Sequence, residues 1–297
     1  MYIETFRRAF VDYASYLGRE IARPHWNNYF YWLIGVSLIC LAIEWARPWR
    51  RMQSPLRRDF WLDVFYMFFN FFLFSLIGYY ALSEVVVLAF QTLLRDGFGV
   101  RNLVALEVKS WPVWLQLATM LVLRDFIHFN VHRLLHRVPL LWQFHKVHHS
   151  VEQMGFAAHL RFHWMETVIY RTIEYLPLAM IGFGIRDFFI VHIIALSIGH
   201  LNHSNVGWDY GPLRYLLNSP KMHIWHHARA LPPERRYGVN FGLTLSLWDY
   251  LFKTAYIPAD GRDIELGVED QEAFPVHSFW RQAIYPLGKA RPRPTPR

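Results

Sequence analysis

A chain of 297 residues that is 54 % hydrophobic, 18 % aromatic and only 18 % charged is more apolar than an ordinary soluble domain and cannot be a disordered or fibrous protein. Its 31 Lys and Arg outnumber its 23 Asp and Glu to give a net charge of +8, but the aromatic residues lie inside apolar runs and no basic stripe accompanies them. That pattern excludes nucleic acid as a partner and leaves anionic lipid headgroups as the counter-charge. The single cysteine, Cys40, rules out an internal disulfide, a thiolate zinc site and a Cys-ligated iron–sulfur cluster.

In chain order, residues 1–27 mix acids and bases with no uninterrupted apolar core, which predicts an interfacial helix rather than a cleavable signal peptide. Tyr29 to Ala46 is apolar, broken only by Glu44, and close to the roughly 20 residues that cross a bilayer core. Val64 to Ser83 is a run of 20 uncharged residues and resumes after Glu84, the strongest expected span. Trp111 to Leu123 is a shorter span ending at Arg124 and Asp125. Leu176 to Ile185 and Phe188 to His203 are expected as two helices hinged near Gly182, Gly184 and Arg186, forming a re-entrant hairpin. Arg47, Arg50, Arg51, Arg57 and Arg58 crowd the link between the first two spans, and the positive-inside rule puts that link in the cytoplasm. Counting onward delivers residues 132–163 to the same side. The Pro-rich basic stretch Arg291 to Arg297 is expected to be disordered.

Histidine is the unusual component. Fourteen of the 16 histidines fall between His128 and His227, a window in which an even spread would place about five. His132 and His136 are spaced i, i+4, and His145, His148 and His149 form an HxxHH triplet repeated by His223, His226 and His227. Residues three and four apart share a helical face, so each group can aim imidazoles at a single point. The glutamate of the HExxH protease motif is absent. His159, His163, His200 and His203 lie between the groups. One catalytic zinc uses about three protein ligands, so this number of clustered imidazoles implies two metals, with neutral imidazole suiting iron, zinc, copper or nickel alike. His25, His192 and His277 stand alone and are expected to be structural. His128 and His159 are open between structural and ligand-supporting roles. Asp125 and Glu166 are open between orienting a ligand imidazole and ordinary charge, while Arg133, Arg161 and Lys146 are expected to contact lipid phosphate.

Over Arg124 to about Tyr256 the chain resembles the fatty acid hydroxylase and sterol desaturase superfamily of integral-membrane, histidine-rich di-iron oxygenases. The resemblance is carried by His132-Arg-Leu-Leu-His136, Trp142-Gln-Phe-His145-Lys-Val-His148-His149, Leu160-Arg-Phe-His163 with Glu166, His203-Ser-Asn205, Met222-His223-Ile-Trp-His226-His227, and Asn240-Phe-Gly242 with Trp248-Asp249. Phe129, Asn130, Trp164 and Lys253 depart from the family pattern. The resemblance implies that His132, His136, His145, His148, His149, His163, His203, His223, His226 and His227 are metal ligands, with His200 a further member. It also implies two iron ions and O2 as co-substrate.

These readings predict an all-α integral membrane helical bundle of about four to five spanning or re-entrant helices with a cytoplasmic histidine-rich helical cap. Residues 1–123 would hold the interfacial helix and membrane spans, 124–256 the histidine-box hydroxylase domain with its membrane hairpin, and 257–297 a C-terminal cap segment and basic tail. The expected task is hydroxylation or desaturation of a lipid such as a fatty acyl chain or sterol, which requires a redox-active metal. The chain carries no nucleotide- or flavin-binding fingerprint, so electrons are expected from a ferredoxin or cytochrome b5-like carrier with its reductase. The competing class is a zinc or copper transporter or sensor. It is disfavoured because the histidines cluster at helix ends rather than at midplane depth.

Overall fold

The computed structural model describes residues 2–26, 28–70, 92, 95–97, 99, 108–170, 173–174 and 176–286. Among these residues the regular structure is wholly helical. Eleven α-helices are joined by short 3-10 turns, and β-pairing is limited to two isolated antiparallel bridges, Leu217 with Leu245 and Ala228 with Leu266.

Helix α1 (Tyr2–Ala22) precedes α2 (Tyr29–Ala46), which starts where the Asn28 side chain accepts the N–H of Phe30 at 3.0 Å. Among the described residues α2 is the one helix long and apolar enough to cross a membrane, and only 17 % of that span is buried. Most of its surface therefore faces outward, and a narrow face with Leu33, Val36 and Cys40 packs into a core. Glu44, the acid that interrupts its sequence, is buried, and its Oε1 accepts the backbone N–H groups of Phe156 (2.8 Å) and Asn205 (2.9 Å). The charge thus clamps α2 to the histidine-bearing part of the chain. The span expected over 64–83 begins in α3 (Phe60–Phe68), and residues 71–83 lie outside the described residues, as does the basic tail.

Helix α4 (Val113–Arg137) runs unbroken through residue 124, so the division expected there falls inside a helix. Its first half is apolar and its last turns carry His128, His132 and His136. Pro139 opens α5 (Pro139–His149) at its first turn, where a missing N–H costs nothing. After a 3-10 turn (Phe156–Leu160) come α6 (Trp164–Tyr170), α7 (Leu176–Ile181) and α8 (Ile185–His203). The break between α7 and α8 falls at the expected hinge. Gly182 has φ +119°, which favours glycine, and the Gly184 N–H is accepted by Asp187 at 3.0 Å. Short helices α9 (Pro220–His226), α10 (Leu247–Leu251) and α11 (Phe279–Ala283) complete the chain.

Helix α8 is central. It packs against α2, α4, α9 and the Phe156–Leu160 turn, and a core of Leu33, Val36, Phe60, Met67, Phe156 and Leu196 joins α2 and α3 to it. The arginine-rich link after α2 folds under the same region. Trp49 N–H donates to Asn205 O at 2.9 Å, and Arg50 Nη2 to Ile264 O at 3.1 Å. Arg57 pairs with buried Asp63. The link and the histidines therefore lie on one side of the molecule. Arg161 and Lys146 do not face lipid as expected: Arg161 is fully buried, 3.0 Å from Asp63 and bonded to Val276 O, and Lys146 is 2.6 Å from Asp270. Their partners are too distant in sequence for local spacing to reveal.

Candidate metal centre

Nine histidines converge in two groups, His132, His136, His145, His149 and His226 in the first and His148, His203, His223 and His227 in the second. Within each group one ring nitrogen from every member lies within 4.8 Å of the others. Neither HxxHH triplet aims at a single point as the spacing predicts. On an α-helix positions i and i+4 are about 40° apart around the axis, whereas i+3 and i+4 are about 100° apart. His145 and His149 of α5 accordingly enter the first group while His148 turns to the second. On α9 the outer pair, His223 and His227, enters the second group while His226 turns to the first.

The far nitrogen of four of these rings is fixed by a partner. His132 Nδ1 donates to Phe241 O (2.8 Å), His226 Nδ1 to Val239 O (2.7 Å), His203 Nδ1 to Gly199 O (2.7 Å) and His145 Nδ1 to Glu166 Oε2 (2.6 Å). A carbonyl can only accept, so the first three bonds put the proton on Nδ1 and leave the Nε2 lone pair pointing into the group, and an ionised Glu166 would do the same for His145. These Nε2 atoms face neighbouring ring nitrogens. His132 Nε2 is 3.1 Å from His145 Nε2, and His203 Nε2 is 3.3 Å from His148 Nε2 and 3.1 Å from His223 Nε2. Ligands about 2.0–2.1 Å from one ion stand roughly 3.0–3.4 Å apart in octahedral or tetrahedral geometry, which is the observed spacing. His136, His149 and His226 each keep a buried Nε2 with no hydrogen-bond partner. Buried acceptors are seldom left unpaired in a native protein, so the donor set fits metal ions.

Burial, reinforced by neighbouring imidazoles, holds His145, His148, His149, His223 and His227 well below the usual histidine range and puts His226 at about 4. They are neutral at physiological pH, the state a ligand needs. Burial pushes Glu166 up to about 8. Neither group contains a carboxylate, so any cationic charge there is left to neutral ligands.

The structure does not bring His163 and His200 into either group. His163 Nε2 donates to Ala283 O at 3.1 Å and its Nδ1 accepts Met165 N–H at 3.1 Å, so both ring nitrogens are used by backbone. Its own N–H donates to Glu166 Oε1 at 3.2 Å, which steadies the carboxylate behind His145. His200 stands behind His203, 2.8 Å from His159 and 3.2 Å from Ser37 Oγ. His128 pairs with Glu174 at 2.5 Å and stacks on Tyr170. Of the two acids left open from sequence, Glu166 touches a group member. Asp125 instead accepts Thr244 N–H, Leu245 N–H and Trp248 Nε1–H, and Asp249 accepts Phe241 N–H and Gly242 N–H, holding the loop whose carbonyls orient His132 and His226. Asp209 accepts Gly211 N–H away from the site. Glu174, which joins His128 to Arg124 (3.1 Å), carries no local signal of its role in the sequence.

A cavity of about 110 Å³ touches both groups, through His132 and His145 on one side and His148, His203 and His223 on the other. Leu160, Phe162, Leu196 and Leu243 supply apolar lining, and Arg124, His128 and Glu174 also line it.

Residues 117–254 match the family model described as fatty acid hydroxylase. An ornithine lipid hydroxylase of Rhizobium tropici is 31 % identical over 180 residues, covering 61 % of this chain and 53 % of the relative. The alkylglycerol monooxygenase of Homo sapiens is 34 % identical over 159 residues, 52 % of this chain and 32 % of the relative. A very-long-chain aldehyde decarbonylase of Oryza sativa subsp. indica is 27 % identical over 144 residues, 44 % and 22 % respectively. The chain thus spans about half the length of the first and less of the others. No solved structure matches the chain significantly.

Proposed function

The chain belongs, through residues 117–254, to the fatty acid hydroxylase family, and from that premise we propose that it is a membrane-bound di-iron oxygenase that hydroxylates a lipid. The observation that carries this reading is the pair of buried imidazole groups whose lone pairs stand at ligand-to-ligand spacing on the wall of one partly apolar cavity. Two irons, held by His132, His136, His145, His149 and His226 and by His148, His203, His223 and His227, would supply the reductive activation of O2 needed to oxidise an unactivated C–H bond. Zinc has no redox chemistry to offer for this task. His163 and His200 would support the ligands from behind.

The chain's own residues do the rest. Leu160, Phe162, Leu196 and Leu243 would receive an acyl or alkyl chain and keep bulk water from the reacting carbon. Glu166, Phe241 O, Val239 O and Gly199 O hold the ligand tautomers. The printed names hydroxylase and monooxygenase among the relatives favour oxygen insertion over desaturation. We place α2, the apolar half of α4 and the α7–α8 hairpin in the bilayer, with the histidine cap and arginine-rich link on the cytoplasmic face. Electrons would come from a ferredoxin or cytochrome b5-like carrier with its reductase.

Two measurements test the reading together: metal content of protein purified anaerobically in mild detergent, and lipid mass spectrometry of cells with and without the protein. Iron near two per chain and a lipid that gains the mass of one oxygen are expected. Lipid oxidation by protein holding zinc and no iron would overturn the metal assignment, and an unchanged lipid profile from iron-loaded protein supplied with electrons would overturn the activity.

A further inference from the structure

Resting on the oxygenase reading, which needs electrons from outside the chain, we infer that the basic rim around His136 is the docking face for an acidic one-electron carrier protein. Of the nine grouped histidines His136 alone is not buried. Its ring lies 5.0 Å from Trp142 and 4.7 Å from His149, and His149 lies 4.5 Å from His227. A line of ring contacts therefore runs from the surface through the first group into the second.

Five cations lie on the segments around half-buried His136. Arg137 follows His136 on the last turn of α4. A Cβ on Gly238 would stand 2.8 Å from His136 Nδ1, which places that loop directly against the ring. Gly238 N–H donates to Arg235 O at 2.8 Å, Arg235 Nη1 donates to Lys253 O at 2.7 Å, and Arg133 sits 5.3 Å over the ring of Phe252, beside Lys253. Arg236 lies exposed between Arg235 and Tyr237. Among the described residues none of these five has a carboxylate at ion-pair distance, whereas nearby Lys221, Arg229 and Arg262 are matched by Asp260, Glu265 and Asp260. Glu234 is the only acid from Ala228 to Trp248. An unmatched cationic rim raises the local concentration of an anionic protein and orients its approach.

Position favours a soluble protein over lipid headgroups. Arg137 lies 14 residues beyond Leu123, where the apolar part of α4 ends, or about 21 Å along the helix axis. The headgroup layer extends only about 5–8 Å past the hydrocarbon core. Hydroxylation consumes a lipid C–H bond, one O2, two electrons and two protons, and yields an alcohol and water. A one-electron carrier must therefore dock twice per turnover at this face.

The test measures binding as well as turnover, on the full chain in nanodiscs, with a [2Fe–2S] ferredoxin and the haem domain of cytochrome b5 as probes. Combining Arg137→Glu, Arg236→Glu and Lys253→Glu is expected to weaken carrier affinity at least tenfold and to flatten its salt dependence. Combining Arg8→Glu and Arg19→Glu on α1 with Arg23→Glu just after it, an equal change in net charge, should leave the affinity within twofold. Turnover driven by dithionite and methyl viologen should match the unaltered protein in both variants. Equal carrier affinity for the cap variant and the unaltered protein would overturn the proposal. So would a defect that appears only in anionic-lipid discs, which would assign the rim to headgroups. A protein that binds carriers through this rim yet holds no iron and oxidises no lipid would sink the oxygenase reading while leaving the docking face in place.

Discussion

Behind His145 stands a carboxylate that no water reaches: Glu166 is fully buried, accepts the Nδ1 proton of His145 and is itself held by the His163 N–H. Removing such a partner typically lowers metal affinity 10–100-fold, so Glu166→Ala is expected to lose iron in that range in a chelator competition while the protein still inserts. Retention of unaltered affinity would show that the carboxylate is only packing. His148→Ala and His226→Ala each withdraw one donor from a different group, and both should abolish lipid oxidation. His277, which pairs with Asp59 at 2.7 Å on a half-exposed surface, should tolerate alanine with activity unchanged. Loss of turnover in His277→Ala with activity kept in His148→Ala would overturn the ligand assignment. The grouping of these histidines was legible as periodic spacing in the sequence. His163 and His200, which the resemblance counts with them, stand outside both groups because each bonds to a remote partner, here Ala283 O and Ser37 Oγ.

Helices and links show the same division between local and long-range information. The hinge at Gly182 to Gly184 and the helical course of both HxxHH triplets follow from short patterns of residues. The burial of Arg57 and Arg161 does not, because their shared partner Asp63 lies on α3, 98 residues before Arg161. Arg57, from the arginine-rich link after α2, pairs with Asp63, and Arg161 ties the same carboxylate on α3 to the turn that precedes α6. Asp63→Ala would leave buried Arg57 without its carboxylate and Arg161 with only Asp59, 3.8 Å away, and breaking a buried pair from one side costs about 3–5 kcal/mol. Thermal unfolding in detergent should show that loss. Asp63→Asn, which still accepts hydrogen bonds, should lose less. Equal stability of Asp63→Ala and the unaltered protein would mean that solvent reaches the cluster.

Taken as a whole, the molecule has a calculable response to acid. The grouped imidazoles are held below 6.5 by burial and by one another, His226 at about 4. Between the folded and unfolded values the unfolded chain binds more protons, so their contribution is complete above pH 6.5 and is lost as pH falls towards 4. His226 alone accounts for on the order of 3 kcal/mol. Glu166, raised to about 8, acts in the opposite sense: its contribution is present below the ordinary carboxylate value and is lost as pH rises through about 8. Asp249, pushed up by burial to about 6, acts in the same sense as Glu166, but the two carboxyls are outnumbered by the imidazoles, and protons also compete with metal for the same nitrogens. Iron content and melting temperature, followed from pH 7 to pH 4, should fall together across that window. Full retention of both at pH 4 would contradict the neutral-ligand description.

Helices α5 and α9 each send donors to both groups, so the two sockets share a backbone and cannot be set independently. An ion seated among His145, His149 and His226 fixes the rotation of α5 and α9 about their axes, and with it the directions of His148, His223 and His227 in the neighbouring socket. The ordering entropy of the second socket is thereby met when the first is filled. Titrating metal-free protein with ferrous ion under argon should accordingly give positive cooperativity, with a Hill coefficient above one. Two independent binding phases would show that the shared helices transmit nothing between the sockets.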